Sequence, residues 1–261
     1  MEATPNIICI IQARMGSSRL PGKVLKEICD RPMLGWVAQR AAQSRRATRI
    51  VVATTTNSCD DPIEEFCKKS GISFFRGNEF DVLDRYYQAA KINKAEIVVR
   101  LTADCPLIDP SLMDETIEKL ISAGADFAAN RLPPPYQRTY PIGLDVEVAT
   151  FTVLQAAWKR AEKPYEREHV MPFLYDPQNN FKIIVLDAEQ NYGRQRWTVD
   201  TAEDLEFIRQ VTAVLGCRLD FSWQDVLKVL EEHPDLTEIN SGVAHKSYND
   251  VDYRANSKKE G

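Results

Sequence analysis

The sequence lacks the features of several large classes of protein. No apolar run approaches the roughly 20 residues that a membrane-spanning helix needs, and no basic region followed by an apolar stretch opens the chain. The formal net charge is −5 over 261 residues, so there is no general basic field to collect nucleic acid or an anionic membrane. We therefore expect a cytoplasmic protein whose partner is a small molecule, with no nucleic acid and no membrane involved.

Cysteine motifs are also absent. The sequence has six cysteines, with no CxxC pair and no Cys/His set at zinc spacing. Single, scattered cysteines are typical of reduced thiols in a cytoplasmic protein, and that is the prediction here. They are Cys9, Cys29, Cys59, Cys67, Cys105 and Cys217.

The first half of the chain alternates short β-branched runs with longer amphipathic segments. This pattern predicts parallel strands joined by crossover helices, with ligands at the carboxyl ends of the strands. One predicted helix begins near Asp61 and ends at Gly71. Two more begin near Asp81 and after Pro110. The predicted strands are residues 7–11, 49–54, 72–76 and 96–102.

The second half is less regular. It opens with a loop of residues 130–143 that contains four prolines, which exclude both helix and central strand. Strands are then predicted at 144–148 and 181–186, and helices at 153–161, at 166–174 and after Asp200. We expect one α/β domain over 1–240, with halves 1–123 and 124–240, and a polar, flexible tail over 241–261.

The loop after the first strand, QARMGSSRLPGKVL, resembles a phosphate-binding P-loop without matching it. Five residues separate Gly16 from Gly22, and Val24 follows Lys23 where a P-loop has Ser or Thr. The loop nevertheless follows the carboxyl end of a strand and offers hydroxyls, cations and backbone amides that glycine leaves accessible. These features predict a polyphosphate site. The alternative is a solvated surface loop. The polar candidates are Arg14, Ser17, Ser18, Arg19 and Lys23.

Five segments in order, QARMGSSRLPGKVL, RPML, VVAT, RLTADCPLIDP and TVDTAEDLE, resemble the cytidylyltransferases that activate acidic sugars. These are the CMP-KDO and CMP-sialic acid synthetases, including the spore-coat polysaccharide biosynthesis branch. The resemblance covers roughly residues 5–210. It implies a Rossmann-like nucleotide-diphospho-sugar transferase fold, with a doubly wound, mostly parallel sheet and an inserted segment for sugar binding or dimerisation. It also implies a Mg²⁺-dependent homodimer that converts CTP and an acidic sugar to a CMP-sugar and pyrophosphate.

The resemblance assigns catalytic roles to four residues. Arg14 and Lys23 would bind the triphosphate, and Lys23 would stabilise the departing pyrophosphate. Asp104 and Asp200 would hold Mg²⁺, which prefers a few carboxylate oxygens and keeps positions for phosphate and water. The alternatives are that Asp200 caps a helix and that Asp104 is a turn residue.

Further nucleotide contacts follow from the same resemblance. Thr102 stands where the KDO enzymes have a glutamine that helps to read cytosine, and Thr55 stands where an acidic residue is frequent, so the nucleobase stays open. The predicted nucleotide-binding residues are Gln12, Ala13, Arg14, Gly16, Ser17, Ser18, Arg19, Lys23, Thr54 and Thr102.

The acceptor sugar is expected in the second half, where carboxylates could bind hydroxyls and an arginine could bind a carboxylate. The predicted acceptor-binding residues are Asp145, Glu147, Arg167, Glu168 and His169; Arg138, Arg194 and Arg196 are further candidates for the sugar carboxylate. His169 is either a general base or a structural residue. The loop 130–143 is either a lid or a dimer contact. The alternative functions are transfer to a sugar 1-phosphate and nucleotide binding without turnover.

Overall fold

The computed structural model describes residues 4–244, so most of the predicted tail, 241–261, lies outside the described residues. A seven-stranded sheet has the order β5-β4-β1-β6-β8-β7-β9, in which β8 runs antiparallel to both neighbours. The strands are β1 (Ile7–Gln12), β2 (Glu27–Ile28), β3 (Arg31–Pro32), β4 (Arg49–Thr55), β5 (Ser73–Gly77), β6 (Ile97–Thr102), β7 (Phe127–Ala129), β8 (Glu147–Thr150) and β9 (Ile183–Val185), of which β2 and β3 form a separate hairpin.

Helices cover both faces of this sheet. They are α1 (Met33–Ala41), α2 (Asp61–Ser70), α3 (Val82–Ile92), α4 (Pro110–Ala123), α5 (Phe151–Arg160), α6 (Pro164–His169), α7 (Pro172–Tyr175), α8 (Ala202–Val214) and α9 (Trp223–Glu232). None of the helices within residues 4–244 is long and apolar enough to cross a membrane.

The alternation of side chains along β1 explains the two layers. Cys9 and Ile11 face the core formed with α1, α2, α4, α8 and α9, whereas Ile8 and Ile10 face the core formed with α3, α5 and α7. Because β1 is buried on both sides, it is apolar from Ile7 to Ile11 and needs a helix on either face. The predicted doubly wound, mostly parallel α/β fold is confirmed.

The element predictions for the first half hold to within about a residue. Gly71 ends α2 with φ 66, as the sequence predicts for a left-handed glycine. Asp81 caps α3 by accepting a hydrogen bond from Asp84 N at 2.9 Å. The two halves share one sheet because β8, from the second half, pairs with β6.

The second half differs in two places. The predicted helix 166–174 divides into α6 and α7 at Val170, whose φ is 71, because Pro172 cannot continue the hydrogen bonding of α6. The strand predicted at 144–148 begins only at Glu147. Val146 N–H instead donates to the side chain of Asn130 at 2.8 Å, outside any strand ladder.

The proline-rich loop 130–143 is attached at its end to the segment that leads to α8. Trp197 N–H donates to the carbonyl of Ile142 at 2.7 Å. Gly143 has φ 107, and a Cβ there would lie 2.6 Å from the backbone nitrogen of Thr198. Only glycine therefore permits this close approach.

The prediction that every cysteine is a reduced thiol is wrong for two of them. Cys29, between β2 and β3, forms a disulfide with Cys217, beyond α8, with a Cα–Cα distance of 5.8 Å. The two cysteines are 188 residues apart in sequence, so no spacing motif reveals the pair. The argument from cysteine usage to a reducing compartment therefore does not hold.

Reducing this disulfide is expected to lower the free energy of unfolding by up to about 5 kcal/mol, since a long closed loop restricts the unfolded chain. Urea unfolding with and without reductant measures the difference. Cys29→Ser should match the reduced wild type, while Cys59→Ser, which replaces an exposed thiol outside the disulfide, should unfold like the oxidised protein. Six reactive thiols in the denatured, unreduced protein would contradict the pairing.

Candidate active site

The side chain of Lys23 joins three separate segments of the chain. Gly22 adopts φ 68 immediately before it, a conformation that glycine tolerates, and Lys23 itself is buried. Its Nζ lies 2.7 Å from Asp104 Oδ2, 2.9 Å from Asp200 Oδ1 and 2.8 Å from the carbonyl oxygen of Val199. The structure thus brings together three of the four predicted catalytic residues at one point.

The two aspartates are placed by neighbouring pieces of backbone. Asp104 follows β6, and Asp200 precedes α8. Val199 N–H donates to the carbonyl of Asp104 at 2.8 Å, which fixes the two turns side by side. Both carboxylates therefore reach Lys23 from the carboxyl edge of the sheet.

Helix α8 is capped without using the Asp200 side chain. Thr201 is the N-cap, and its hydroxyl accepts from Asp204 N at 3.3 Å. Asp204 in turn accepts from the backbone N–H of Thr201 at 3.1 Å, completing a capping box. The alternative in which Asp200 caps the helix is therefore wrong, and its carboxylate faces the site instead.

Three cations surround Asp200. Besides Lys23, Arg19 Nη2 lies 2.9 Å and Arg196 Nη2 lies 2.8 Å from Asp200 Oδ2. Burial alone would raise the pKa of Asp200, but Lys23 and the two arginines outweigh it and hold that pKa well below its usual range. The same carboxylates overcome the effect of burial on Lys23 and raise its pKa. Asp200 is thus a carboxylate, and Lys23 an ammonium, at neutral pH.

The sequence indicates Arg196 only as a candidate for binding the sugar carboxylate, but the structure gives it a different position. Its guanidinium bridges Asp200 to the fully buried Asp204, at 2.8 Å from Nε to Oδ1. Asn240 Nδ2 also donates to Asp204, at 3.0 Å. The spacing of these residues gives no signal for the network, because Asn240 is distant from Asp204 in the sequence.

The loop between β1 and Lys23 is closed by one carbonyl. Met15 O accepts hydrogen bonds from Ser17 N at 2.9 Å and from Gly22 N at 3.0 Å. Ser18 and Arg19 are exposed at its tip, whereas Gly16 and Ser17 are half-buried. Arg14 lies before the loop, in electrostatic contact with Arg85. The predicted polyphosphate residues therefore share one compact turn beside the Lys23 ammonium.

Polar residues end three adjacent strands at this edge. Gln12 of β1 is in register with Thr102 of β6 and with Ala53 of β4, and Thr54 follows Ala53. Gln12 Oε1 and Thr54 Oγ1 are buried and have no hydrogen-bond partner among residues 4–244. Thr102 Oγ1 lies 3.2 Å from the sulfur of Cys105. Buried polar atoms without partners are costly, so these positions are suited to a polar ligand.

Two of the predicted acceptor-binding residues are carboxylates that pair with arginines. Glu147, at the start of β8, is buried and paired with Arg100 of β6. Asp145 forms a bidentate pair with Arg138, at 2.5 and 3.1 Å. These two carboxylates already have arginine partners at the edge of the sheet.

The other three acceptor candidates lie on α6. Arg167 pairs with Asp81, at the start of α3, with Nη2 2.5 Å from Oδ2, and also donates to the carbonyl of Trp158. Glu168 and His169 follow it in the same short helix. Arg167 therefore attaches α6 to α3.

Arg85 is another residue that the sequence reading missed. It lies on the buried face of α3 and is 2% exposed, with Nη1 2.8 Å from the carbonyl of Asn78. Burial lowers the pKa of Arg85 to about 10. A signal was present, since an arginine between Leu83 and Tyr86 interrupts an apolar helix face.

Comparison with known proteins identifies the family. A cytidylyltransferase family model matches residues 8–240. The chain belongs to the cytidylyltransferase family. The spore coat polysaccharide biosynthesis protein SpsF of Bacillus subtilis is 32% identical over 237 residues, covering 88% of this chain and 96% of that protein. The resemblance inferred from the five motifs is confirmed.

Two further relatives agree. A 3-deoxy-manno-octulosonate cytidylyltransferase of Psychrobacter is 28% identical over 229 residues, covering 79% of this chain and 82% of that protein. The structure of a cytidylyltransferase from Leptospira borgpetersenii superposes on this chain with a TM-score of 0.85 at 34% identity. The match covers 92% of this chain and 100% of that one. The cytidylyltransferase thus has the fold of its family over almost its whole described length.

Asp200→Asn is expected to destabilise the cytidylyltransferase by about 2 kcal/mol at pH 7, because three cations lose a partly buried carboxylate. The pKa of Asp200 is depressed by folding, so this stability is fully present above its unfolded pKa, near 3.9, begins to fall below that value, and is lost only as pH falls through the lower pKa of the folded state. The difference between the urea midpoints of wild type and variant should therefore be constant well above the unfolded pKa and should narrow steadily as pH falls below it. Asp220→Asn, at a carboxylate whose side chain is 74% exposed, is the control, and a gap that stays constant with pH would contradict the assignment.

Proposed function

We propose that this cytidylyltransferase transfers CMP from CTP to a hydroxyl of an acidic sugar, releasing pyrophosphate, for surface polysaccharide or glycan synthesis. The observation that carries the proposal is the shared contact of Lys23 with Asp104 and Asp200, beside a glycine-containing loop. Polyanion binding, metal binding and leaving-group stabilisation need these residue types together. The names of the relatives supply the substrate class.

The two aspartates fit a magnesium ion. Asp104 Oδ2 and Asp200 Oδ1 converge on one position, where the Lys23 ammonium lies 2.7 and 2.9 Å from them. In the part of the chain that the structure describes, no group of three or more His, Cys, Asp or Glu side chains could hold a metal. Two hard oxygen ligands, with the rest from phosphate and water, are typical of Mg²⁺. When bound, the ion would neutralise the α-phosphate and polarise the acceptor hydroxyl.

Lys23 would then act on the phosphates. If a metal ion were held by the two aspartates, it would supply the positive charge that the ammonium gives them, and Lys23 would be available to the β- and γ-phosphates together with Arg14. Arg196 would keep Asp200 in place through its contacts with Asp200 and Asp204. As the acceptor oxygen forms its bond to the α-phosphorus, its proton would pass to solvent, the bond to pyrophosphate would break, and Lys23 would stabilise the leaving charge.

The nucleobase would lie at the ends of β1, β4 and β6. The unpartnered Gln12 Oε1 and Thr54 Oγ1 support this position, and Thr102 ends the adjacent strand. Cytosine is the base we propose, on the strength of the family. The acceptor would approach from the side of Asp145 and of Glu147, which begins β8 at the same edge, with Arg167, Glu168 and His169 as the remaining predicted contacts.

The family resemblance is the basis for the assembly, and the composition of the sequence is the basis for the location. We propose a homodimer in the cytoplasm. The loop 130–143 supports a dimer contact through its exposed tip, where Tyr136 is 39% exposed. Light scattering of the purified protein would decide between a dimer and a monomer.

CTP with Mg²⁺ is expected to raise the melting temperature, since a ligand that binds only the folded state stabilises it by mass action. At about 100 times its dissociation constant the gain is about 2.7 kcal/mol. ATP, GTP and UTP, and CTP with EDTA, are the comparisons. A larger shift with another triphosphate would move the proposal to an NDP-sugar made from a sugar 1-phosphate, and no shift with any would favour a module without turnover.

Asp104→Asn and Asp200→Asn are each expected to lower kcat for pyrophosphate release by about 100-fold or more, because each removes a charge that holds the metal on the reacting phosphate. The assay uses CTP with a panel of acidic sugars. Asp220→Asn should retain wild-type turnover. Wild-type rates in both folded site variants would refute the metal assignment.

A further inference from the structure

Asp60 is a buried carboxylate whose position is unusual for its place in the fold. It is 1% exposed and stands at the N-cap position of α2, where an aspartate ordinarily accepts hydrogen bonds from the first amides of the helix. Asp60 makes no such bond. Its side chain instead accepts from the backbone N–H of Met15, 45 residues away, at 2.7 Å.

The other oxygen of Asp60 is also committed away from the helix. Thr55, the last residue of β4, donates its hydroxyl to Asp60 Oδ2 and accepts from Asn57 N at 3.1 Å. Thr55 is fully buried. Asp60 is therefore fixed to the edge of the sheet by Thr55 and extends from there to the backbone of Met15.

Met15 is the residue that closes the loop before Lys23. Its carbonyl accepts from Ser17 N and Gly22 N, so both ends of the segment 15–22 meet at this one peptide group. Anchoring the N–H of Met15 consequently anchors the whole turn. Arg14 lies directly before it, and Lys23 directly after it.

A buried negative charge costs folding free energy, and next to a polyanion site it also repels the ligand, unless neighbouring cations and hydrogen-bond donors compensate it. Here the charge lies in electrostatic contact with Arg85, which Arg14 also approaches. Asp60 thus offsets the mutual repulsion of two arginines as well as holding the Met15 amide. Both effects favour one arrangement of the loop before any ligand arrives.

We propose that Asp60 is a positioning residue that holds the loop 15–22, and with it Arg14 and Lys23, in the conformation that receives the triphosphate. The inference rests on the proposed function, because it assigns the loop to the phosphates of CTP. It does not require Asp60 to touch the nucleotide.

Asp109 provides a matched control. It is also 1% exposed and stands at the N-cap of α4, but it caps that helix, accepting from Ser111 N at 2.7 Å and Leu112 N at 3.2 Å. It also accepts from the backbone of Trp223. Asp109→Ala therefore removes a buried, helix-capping carboxylate with no bond to the loop.

The test compares Asp60→Ala, Asp60→Asn and Asp109→Ala by two measurements on the full chain. One is amide hydrogen exchange in residues 14–22 without nucleotide, and the other is the dissociation constant for CTP with Mg²⁺. For Asp60→Ala we expect exchange about tenfold faster and CTP binding about tenfold weaker, since a buried amide loses its acceptor. Asparagine keeps an acceptor for Met15 but removes the charge that faces Arg85, so Asp60→Asn should lie between wild type and Asp60→Ala in both.

The control separates positioning from general stability. Asp109→Ala should lower the melting temperature while leaving exchange in 14–22 and CTP affinity within about twofold of wild type. The proposal is overturned if Asp60→Ala leaves both quantities unchanged, or if Asp109→Ala changes them equally. If the wild type binds no triphosphate, the proposed function fails. If the wild type binds CTP and Asp60→Ala behaves like it, only the proposal about Asp60 fails.

A further variant covers the case in which Asp60→Ala does not fold. Thr55→Val keeps the volume of the side chain and removes the hydroxyl that fixes Asp60. It should weaken CTP binding by about threefold or more, because the carboxylate loses its tie to the sheet. Wild-type affinity in folded Thr55→Val would overturn the proposal.

Discussion

The contact of one ammonium with two carboxylates is the interaction on which the rest of the site depends. Lys23 is buried, so its charge is tolerated only because Asp104, Asp200 and the carbonyl of Val199 surround it. Each partner comes from a different segment of the fold. The turn after β1, the turn after β6 and the approach to α8 must therefore all be in place before this charge is satisfied.

Charge compensation extends outward from that centre. Asp200 is shared by Lys23, Arg19 and Arg196, and Arg196 is shared in turn with the buried Asp204. A network of this kind has few arrangements in which every member is paired, so it specifies geometry more than it adds stability. Asp60 is a similar case, because its buried carboxylate accepts hydrogen bonds from a backbone amide and a hydroxyl instead of capping a helix.

The architecture explains why these groups meet. The carboxyl ends of β4, β1 and β6 lie side by side, and β8 begins at the same edge because it runs antiparallel to β6. Loops that leave parallel strands gather at one edge, where their backbone amides and side chains are not committed to the sheet. The chemistry is placed there by topology, next to the two apolar layers that the sheet separates.

Apolar periodicity along the sequence determined the doubly wound fold and its first four long strands, because periodicity is a local signal, and the resemblance to the family assigned Lys23, Asp104 and Asp200 to one site. Only the tertiary structure decided which polar groups pair. The Cys29–Cys217 disulfide, the Arg196–Asp204 pair and the Asp60–Met15 bond all join residues whose contact depends on how turns and helix ends pack. Pairings of this kind follow from three-dimensional proximity, which spacing along the chain does not encode.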